Sequence, residues 1–149
     1  MKTVSDIMTK ELVTVTPETT IRELAEIFVT KRIGSLPVLD SSGALKGIVT
    51  ESDLVEQGKN IHLPTVITLF DWVIYLESEK SLEDELHKMG AGTVADIYRQ
   101  NPVTIGPDEP VSAAADLMSS HHVNAIPVIK DGKLAGIISR IDIIRTLLL

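Results

Sequence analysis

Apolar positions along the chain recur with two periods, and the periods alternate. Ile21, Leu24, Ala25, Ile27 and Phe28 fall on one face at helical spacing, and Thr20 with Glu23 stands where a capping box opens a helix. Two short apolar runs follow, Ser35 to Leu39 and Ala44 to Val49. The turn Asp40-Ser41-Ser42-Gly43 separates them and predicts a hairpin. Upstream, Leu12-Val13-Thr14-Val15 predicts a short strand that stops before Pro17, and a second helix is expected to open at Thr50. The succession then returns. Val111, Ala114, Ala115, Leu117 and Met118 repeat the helical stripe behind Pro110, a residue suited to a first helical turn. Ala125 to Ile129 and Lys133 to Ile138 repeat the hairpin. A helix opening at Ser139 carries Ile141, Ile143, Ile144, Leu147 and Leu148 to the end of the chain.

The return is a duplication. Sliding the chain along itself by 90 positions sets Thr3 on Thr93, Val4 on Val94, Asp6 on Asp96, Ile7 on Ile97, Pro17 on Pro107 and Pro37-Val38 on Pro127-Val128. Past the hairpin turn the offset becomes 89, so that Gly47-Ile48 meets Gly136-Ile137 and Asp53 meets Asp142. The slip falls at a turn, where length changes are tolerated. Each copy reads strand, helix, strand, strand, helix. A half of this size is marginal alone, so the two copies are expected to share a core about a pseudo-twofold axis. The boundaries are 1–56 for the first repeat, 57–92 for a linker with a short helix, and 93–149 for the second repeat.

Composition narrows the function. With 44% hydrophobic and 23% charged residues the chain is globular. A net charge of -7 argues against binding nucleic acid, which needs a basic face. No cysteine is present, which removes disulfides, thiolate metal sites and a cysteine nucleophile. The first residues lack an apolar signal core, and the most apolar stretch, Ile61 to Leu76, holds His62, Pro64 and Asp71. No membrane association and a cytoplasmic location are therefore expected. Adjacent His121-His122 lacks the i, i+4 spacing of metal ligands on one helix face, and no nucleophile elbow, phosphate-cradling Walker loop or paired carboxylates occur, so no enzyme activity and no metal site are expected.

One ordered set of residues is Ser5-Asp6-Ile7-Met8, Val13-Thr14-Val15 with Pro17, Gly34-Ser35-Leu36-Pro37-Val38 and Gly47-Ile48-Val49-Thr50-Glu51-Ser52-Asp53. Its second occurrence is Ala95-Asp96-Ile97-Tyr98, Val103-Thr104-Ile105, Ala125-Ile126-Pro127-Val128 and Gly136-Ile137-Ile138-Ser139-Arg140-Ile141-Asp142. In this ordered set, present twice, the sequence resembles the cystathionine-β-synthase (CBS) domain family. The resemblance implies an α/β fold of two β-α-β-β-α repeats (a Bateman-type module) with clefts between them. It implies that the clefts take AMP, ADP, ATP or S-adenosylmethionine, and that the module dimerises and regulates an attached or partner enzyme, channel or transporter. It assigns Thr50 and Ser139 to the phosphates, and Asp53 and Asp142 to the ribose hydroxyls. Thr14, Ile33, Pro37 and Ile48 would line one base pocket, and Thr104, Val123, Pro127 and Ile137 the other.

Local chemistry gives these residues a second reading. Ser/Thr-x-x-Asp at a helix start is also a plain capping box, and apolar residues beside strands are also plain core. The two copies differ in charge. Many nucleotide-binding relatives carry His or Arg just before the second strand, whereas this chain has Gly34-Ser35 and Asn124-Ala125. Arg140 lies in the second phosphate-facing turn and Glu51 in the first, so the Asp142 copy is expected to be the better anion site. Lys31-Arg32 and His121-His122 suit the C-terminal ends of their helices. In the linker, Phe70, Trp72 and Tyr75 cluster although aromatics are only 3% of the chain. They read either as a flap over the module or as a dimer or effector surface. The apolar end Thr146-Leu147-Leu148-Leu149 calls for cover, and a homodimer is expected.

Overall fold

The computed structural model describes residues 2–60 and 92–148. The helix expected in the linker and the Phe70, Trp72 and Tyr75 residues lie outside them. The chain belongs to the mixed α/β class. Its elements run α1 (Val4–Ile7), α2 (Ile21–Lys31), β1 (Ser35–Leu39), β2 (Leu45–Thr50) and α3 (Glu51–Asn60). After a 3-10 turn at Val94–Asp96 come β3 (Arg99–Gln100), α4 (Val111–His121), β4 (Ala125–Lys130), β5 (Lys133–Ser139) and α5 (Arg140–Arg145), with a closing 3-10 turn at Thr146–Leu148. One sheet has the order β1-β2-β3 and the other is the β4-β5 hairpin.

Both long helices form as the periodicity dictates, and both end alike. Thr20 accepts the Glu23 amide at 3.1 Å to start α2. Arg32 and His122, repeat-equivalent residues, close α2 and α4 in the left-handed conformation at φ 54°. The second hairpin turns on Asp131-Gly132, both at positive φ, which matches the twist of the flanking strands.

The expected strand at Leu12–Val15 is reduced to a single parallel bridge, Val15 to Val38, and its counterpart is the bridge Ile105 to Val128. Val15 donates to the Pro37 carbonyl at 3.1 Å and Ile105 to the Pro127 carbonyl at 3.2 Å. The next rung upstream needs an N–H from Pro37 or Pro127, and proline has none, so the ladder stops after one rung. A further difference lies at the chain's start. The sequence shows no apolar stripe there, yet Thr3 and Asp6 cap the one-turn helix α1. The Thr3 amide donates to Asp6 Oδ2 at 2.8 Å. That bond and the Thr3 hydroxyl hold the exposed Asp6 carboxyl below its ordinary pKa.

The chain divides into two compact units that cut across the repeats. One holds Met1–Thr14, Leu39–Gly47 and Gln100–Leu149, and the other Val15–Val38 and Ile48–Arg99. Each unit therefore takes the lead-in segment of the opposite repeat. In the first unit Val4 and Ser5 donate to the carbonyls of Glu109 and Pro107, each at 2.9 Å, and Thr9 exchanges two backbone bonds with Ile137. Val4 enters a core with Ile105, Ala114, Met118, Ile126, Val128 and Ile138. In the second unit Val94 and Ala95 donate to the carbonyls of Thr19 and Pro17 at 2.8 and 2.9 Å. There Val94 is buried, as are Leu24, Phe28, Leu36, Val49 and Leu54. Burial of this apolar surface holds each lead-in in place.

The first lead-in approaches β5 at Gly136. A Cβ built there would stand 2.9 Å from the Thr9 carbonyl oxygen and 2.7 Å from Met8 Sδ. Backbone atoms cannot swing aside, so Gly136→Ala is expected to lower unfolding stability by about 1–3 kcal/mol in urea titration. Gly106→Ala, which would meet only Glu109 Cγ at 3.9 Å, serves as the near-neutral comparison.

Candidate functional site

Two buried carboxylates sit at repeat-equivalent places. Asp53 is 7% exposed and Asp142 5%, and they are the buried charged residues among those described. Each belongs to the first turn of the helix that follows a hairpin, which is where the sequence placed them. The Thr50 amide and hydroxyl donate to Asp53 Oδ2 at 2.9 and 3.0 Å, and the Asp53 amide donates back to Thr50 Oγ1 at 3.2 Å. Ser139 and Asp142 repeat this arrangement at 2.9, 3.0 and 3.3 Å. The capping reading is therefore correct for both copies.

Capping leaves the other carboxylate oxygen, Oδ1, and in both copies the opposite repeat's lead-in supplies a donor to it. Arg99 Nε donates to Asp53 Oδ1 at 2.9 Å. Thr9 Oγ1 donates to Asp142 Oδ1 at 3.2 Å and lies 3.4 Å from Oδ2. Thr9 and Arg99 are themselves equivalent under the repeat of 90 positions. Sequence reasoning missed both. The signal was present in that equivalence, but nothing in the sequence shows that the lead-ins are exchanged. The hydrogen bond to Asp53, and then its charge, hold the Arg99 guanidinium above its ordinary pKa. Arg145 Nη1 stands 3.5 Å from Asp142 Oδ1, a looser ion pair through a side chain that is 70% exposed.

The charged neighbours differ as the sequence indicated. Glu51 and Arg140 donate their backbone amides to the carbonyls of Gly34 and Asn124, each at 3.0 Å. The Glu51 carboxylate lies beside Gly34, with its carboxyl carbon 3.4 Å from where a Cβ would stand. The residue that lacks a basic side chain thus has an acidic one over it. Arg140 is exposed, and its side chain makes no hydrogen bond among the described residues.

Of the residues expected around a base, Pro37, Ile48 and Pro127 are buried. Thr14, Ile33, Val123 and Ile137 are half-buried, and Thr104 is exposed. Ile33, Pro37 and Ile48 share a unit with Thr50 and Asp53, and Thr104, Val123, Pro127 and Ile137 share one with Ser139, Arg140 and Asp142. Thr14 falls in the unit opposite its repeat.

The CBS domain family model matches residues 4–60 and again 94–149. The chain belongs to the CBS domain family. A CBS domain-containing protein of Dictyostelium discoideum is 34% identical over 97% of this chain and 90% of its own length. The CBS pair also matches part of a longer protein, the homoserine O-acetyltransferase of Methanohalobium evestigatum, at 32% identity over 95% of this chain but 23% of that protein. Among solved structures, CBSX2 in complex with AMP superposes with a TM-score of 0.75 at 27% identity, covering 99% of this chain and 97% of that one. The CBS domain pair of protein MJ0100, in complex with 5′-methylthioadenosine and S-adenosyl-L-methionine, gives a TM-score of 0.72 at 26% identity over 99% and 96%. CBS pairs are generally regulatory modules. No helix among the described residues is long and apolar enough to cross a membrane.

Removing the capping hydroxyl strips one donor from a buried charge. Ser139→Ala and Thr50→Ala are each expected to cost about 1–2 kcal/mol in urea titration. Thr3→Ala, at an exposed box, is expected to cost less.

Proposed function

We propose that this CBS pair is a regulatory, non-catalytic module that senses an adenosine-containing ligand, AMP, ADP, ATP or S-adenosylmethionine. Thr50 and Asp53 would serve one site, and Ser139, Arg140 and Asp142 the other. One observation carries the reading. Among the described residues the Thr/Ser-x-x-Asp box occurs four times, at Thr3, Thr50, Thr93 and Ser139, and each box hydrogen-bonds its carboxylate to its own first residue. At Asp6 and Asp96 the carboxylate is exposed, so capping alone does not require burial. Of these four carboxylates only Asp53 and Asp142, the two that match the family's ligand pattern, are buried, and burying a carboxylate is costly unless it is paired. A buried carboxylate with fixed orientation is a good acceptor for the two hydroxyls of a ribose. The apolar Ile33, Pro37 and Ile48, with Val123, Pro127 and Ile137, suit a purine face. The ligands named for the two solved CBS pairs support the adenosine class.

The four compounds are expected to differ in how far they raise the melting temperature, and at least one should raise it. A ligand at about a hundred times its dissociation constant adds roughly 2.7 kcal/mol to the native state, which is several degrees for a domain of this size. No shift with any of the four at millimolar concentration would favour the alternative, a ligand-free oligomerisation module.

One specific observation bears on assembly. Ile141 and Ile144 are 53% and 52% exposed, and Leu147 and Leu148 are 81% and 84% exposed, so the helical run they were expected to form does not bury them within the chain. We infer that a second copy covers this end and that the module is a homodimer. Light scattering at high micromolar concentration is expected to give twice the 16.2 kDa chain mass, and a monomer would refute it.

A further inference from the structure

The two buried carboxylates are equivalent by descent but not in what already occupies them. Oδ2 of each is consumed by its own cap, so a ribose diol must use Oδ1. At Asp53 that oxygen accepts a charge-assisted hydrogen bond from Arg99 Nε at 2.9 Å. At Asp142 it accepts a neutral hydroxyl bond from Thr9 at 3.2 Å, with Arg145 at 3.5 Å. Charge-assisted bonds are shorter and roughly twice as strong as neutral ones. Arg99 carries its side chain 63% exposed. It is therefore held in place by this pairing rather than by packing.

On the reading of these carboxylates as ribose acceptors, we propose that Arg99 is an internal competitor for the diol at Asp53. It makes the Asp53 site the weak one and leaves Asp142, attended by Thr9, as the site that fills first. Arg99 and Thr9 thus set the order of filling, each acting in the site of the repeat it does not belong to. The effect works on the ribose, so it applies to adenosine as much as to AMP. This separates it from the difference between Glu51 and Arg140, which acts on charged groups alone.

The test is a swap. Calorimetry with adenosine and with AMP is run on the full chain, on Arg99→Thr, which gives the first repeat the second repeat's donor, and on Thr9→Arg, which does the reverse. Circular dichroism and unliganded melting check that each variant is folded. Wild type is expected to bind in two steps of unequal affinity. Arg99→Thr should tighten the weaker step about tenfold for both ligands, and Thr9→Arg should weaken the tighter step by a similar factor. Arg99→Gln, which keeps a donor but removes the charge, should fall between. Unchanged affinities in Arg99→Thr would overturn the inference while leaving the ligand sites standing. So would a loss of AMP affinity with adenosine unaffected, which would make Arg99 a phosphate contact. Absence of binding to wild type and every variant would overturn both the inference and the reading it rests on.

Discussion

The interaction on which the structure turns is the hydrogen bonding of a buried carboxylate at the start of each repeat's last helix. Asp53 and Asp142 cap their helices through Oδ2 and receive the opposite repeat's lead-in through Oδ1. One side chain thus joins three local decisions: where the hairpin ends, where the helix begins, and where a distant segment of chain lies down. A carboxylate so surrounded is affordable in the interior because each oxygen has a donor, and no buried polar side-chain atom among the described residues lacks a partner.

Much of this was legible from the sequence because its causes are local. The helical stripes, both hairpins, the Thr20–Glu23 box and the Thr50–Asp53 and Ser139–Asp142 boxes are all set by residues within a few positions of one another. The element order and the twofold repeat followed from them. What escaped was non-local or fell at single residues. Thr9 and Asp142 are 133 positions apart, and no periodicity reports that the lead-ins are exchanged between repeats. The strand at Leu12–Val15 has the right pattern of side chains, but Pro37 and Pro127 remove the one donor that would extend it. The final helix had a continuous apolar run, yet regular α-helix stops at Arg145 and Ile141 and Ile144 face outward. Helical spacing distinguishes one face from another, but it cannot say that a face is covered by the same chain.

Duplication made the two sites alike in backbone, and substitution at a few positions made them unlike in charge. Glu51 stands where the second repeat has Arg140, and Arg99 stands where the first lead-in has Thr9. Neither exchange disturbs the cap, because the capping atoms belong to Thr50, Ser139 and the two aspartates. A fold that delegates helix capping to one carboxylate oxygen leaves the other free to vary in its partner. In this way a module built from two copies of one unit can acquire two different sites.

The central claim is that the carboxylates that cap the helices are the ones that meet the ligand. Carbon-13 NMR of protein labelled at the aspartate carboxyls, titrated with adenosine, tests it most directly. Asp53→Asn and Asp142→Asn would assign the two resonances. Both are expected to move on saturation, Asp142 first, while the signals of Asp6 and Asp96 stay fixed. Binding heat accompanied by still resonances at Asp53 and Asp142 would show that the buried boxes are caps and nothing more.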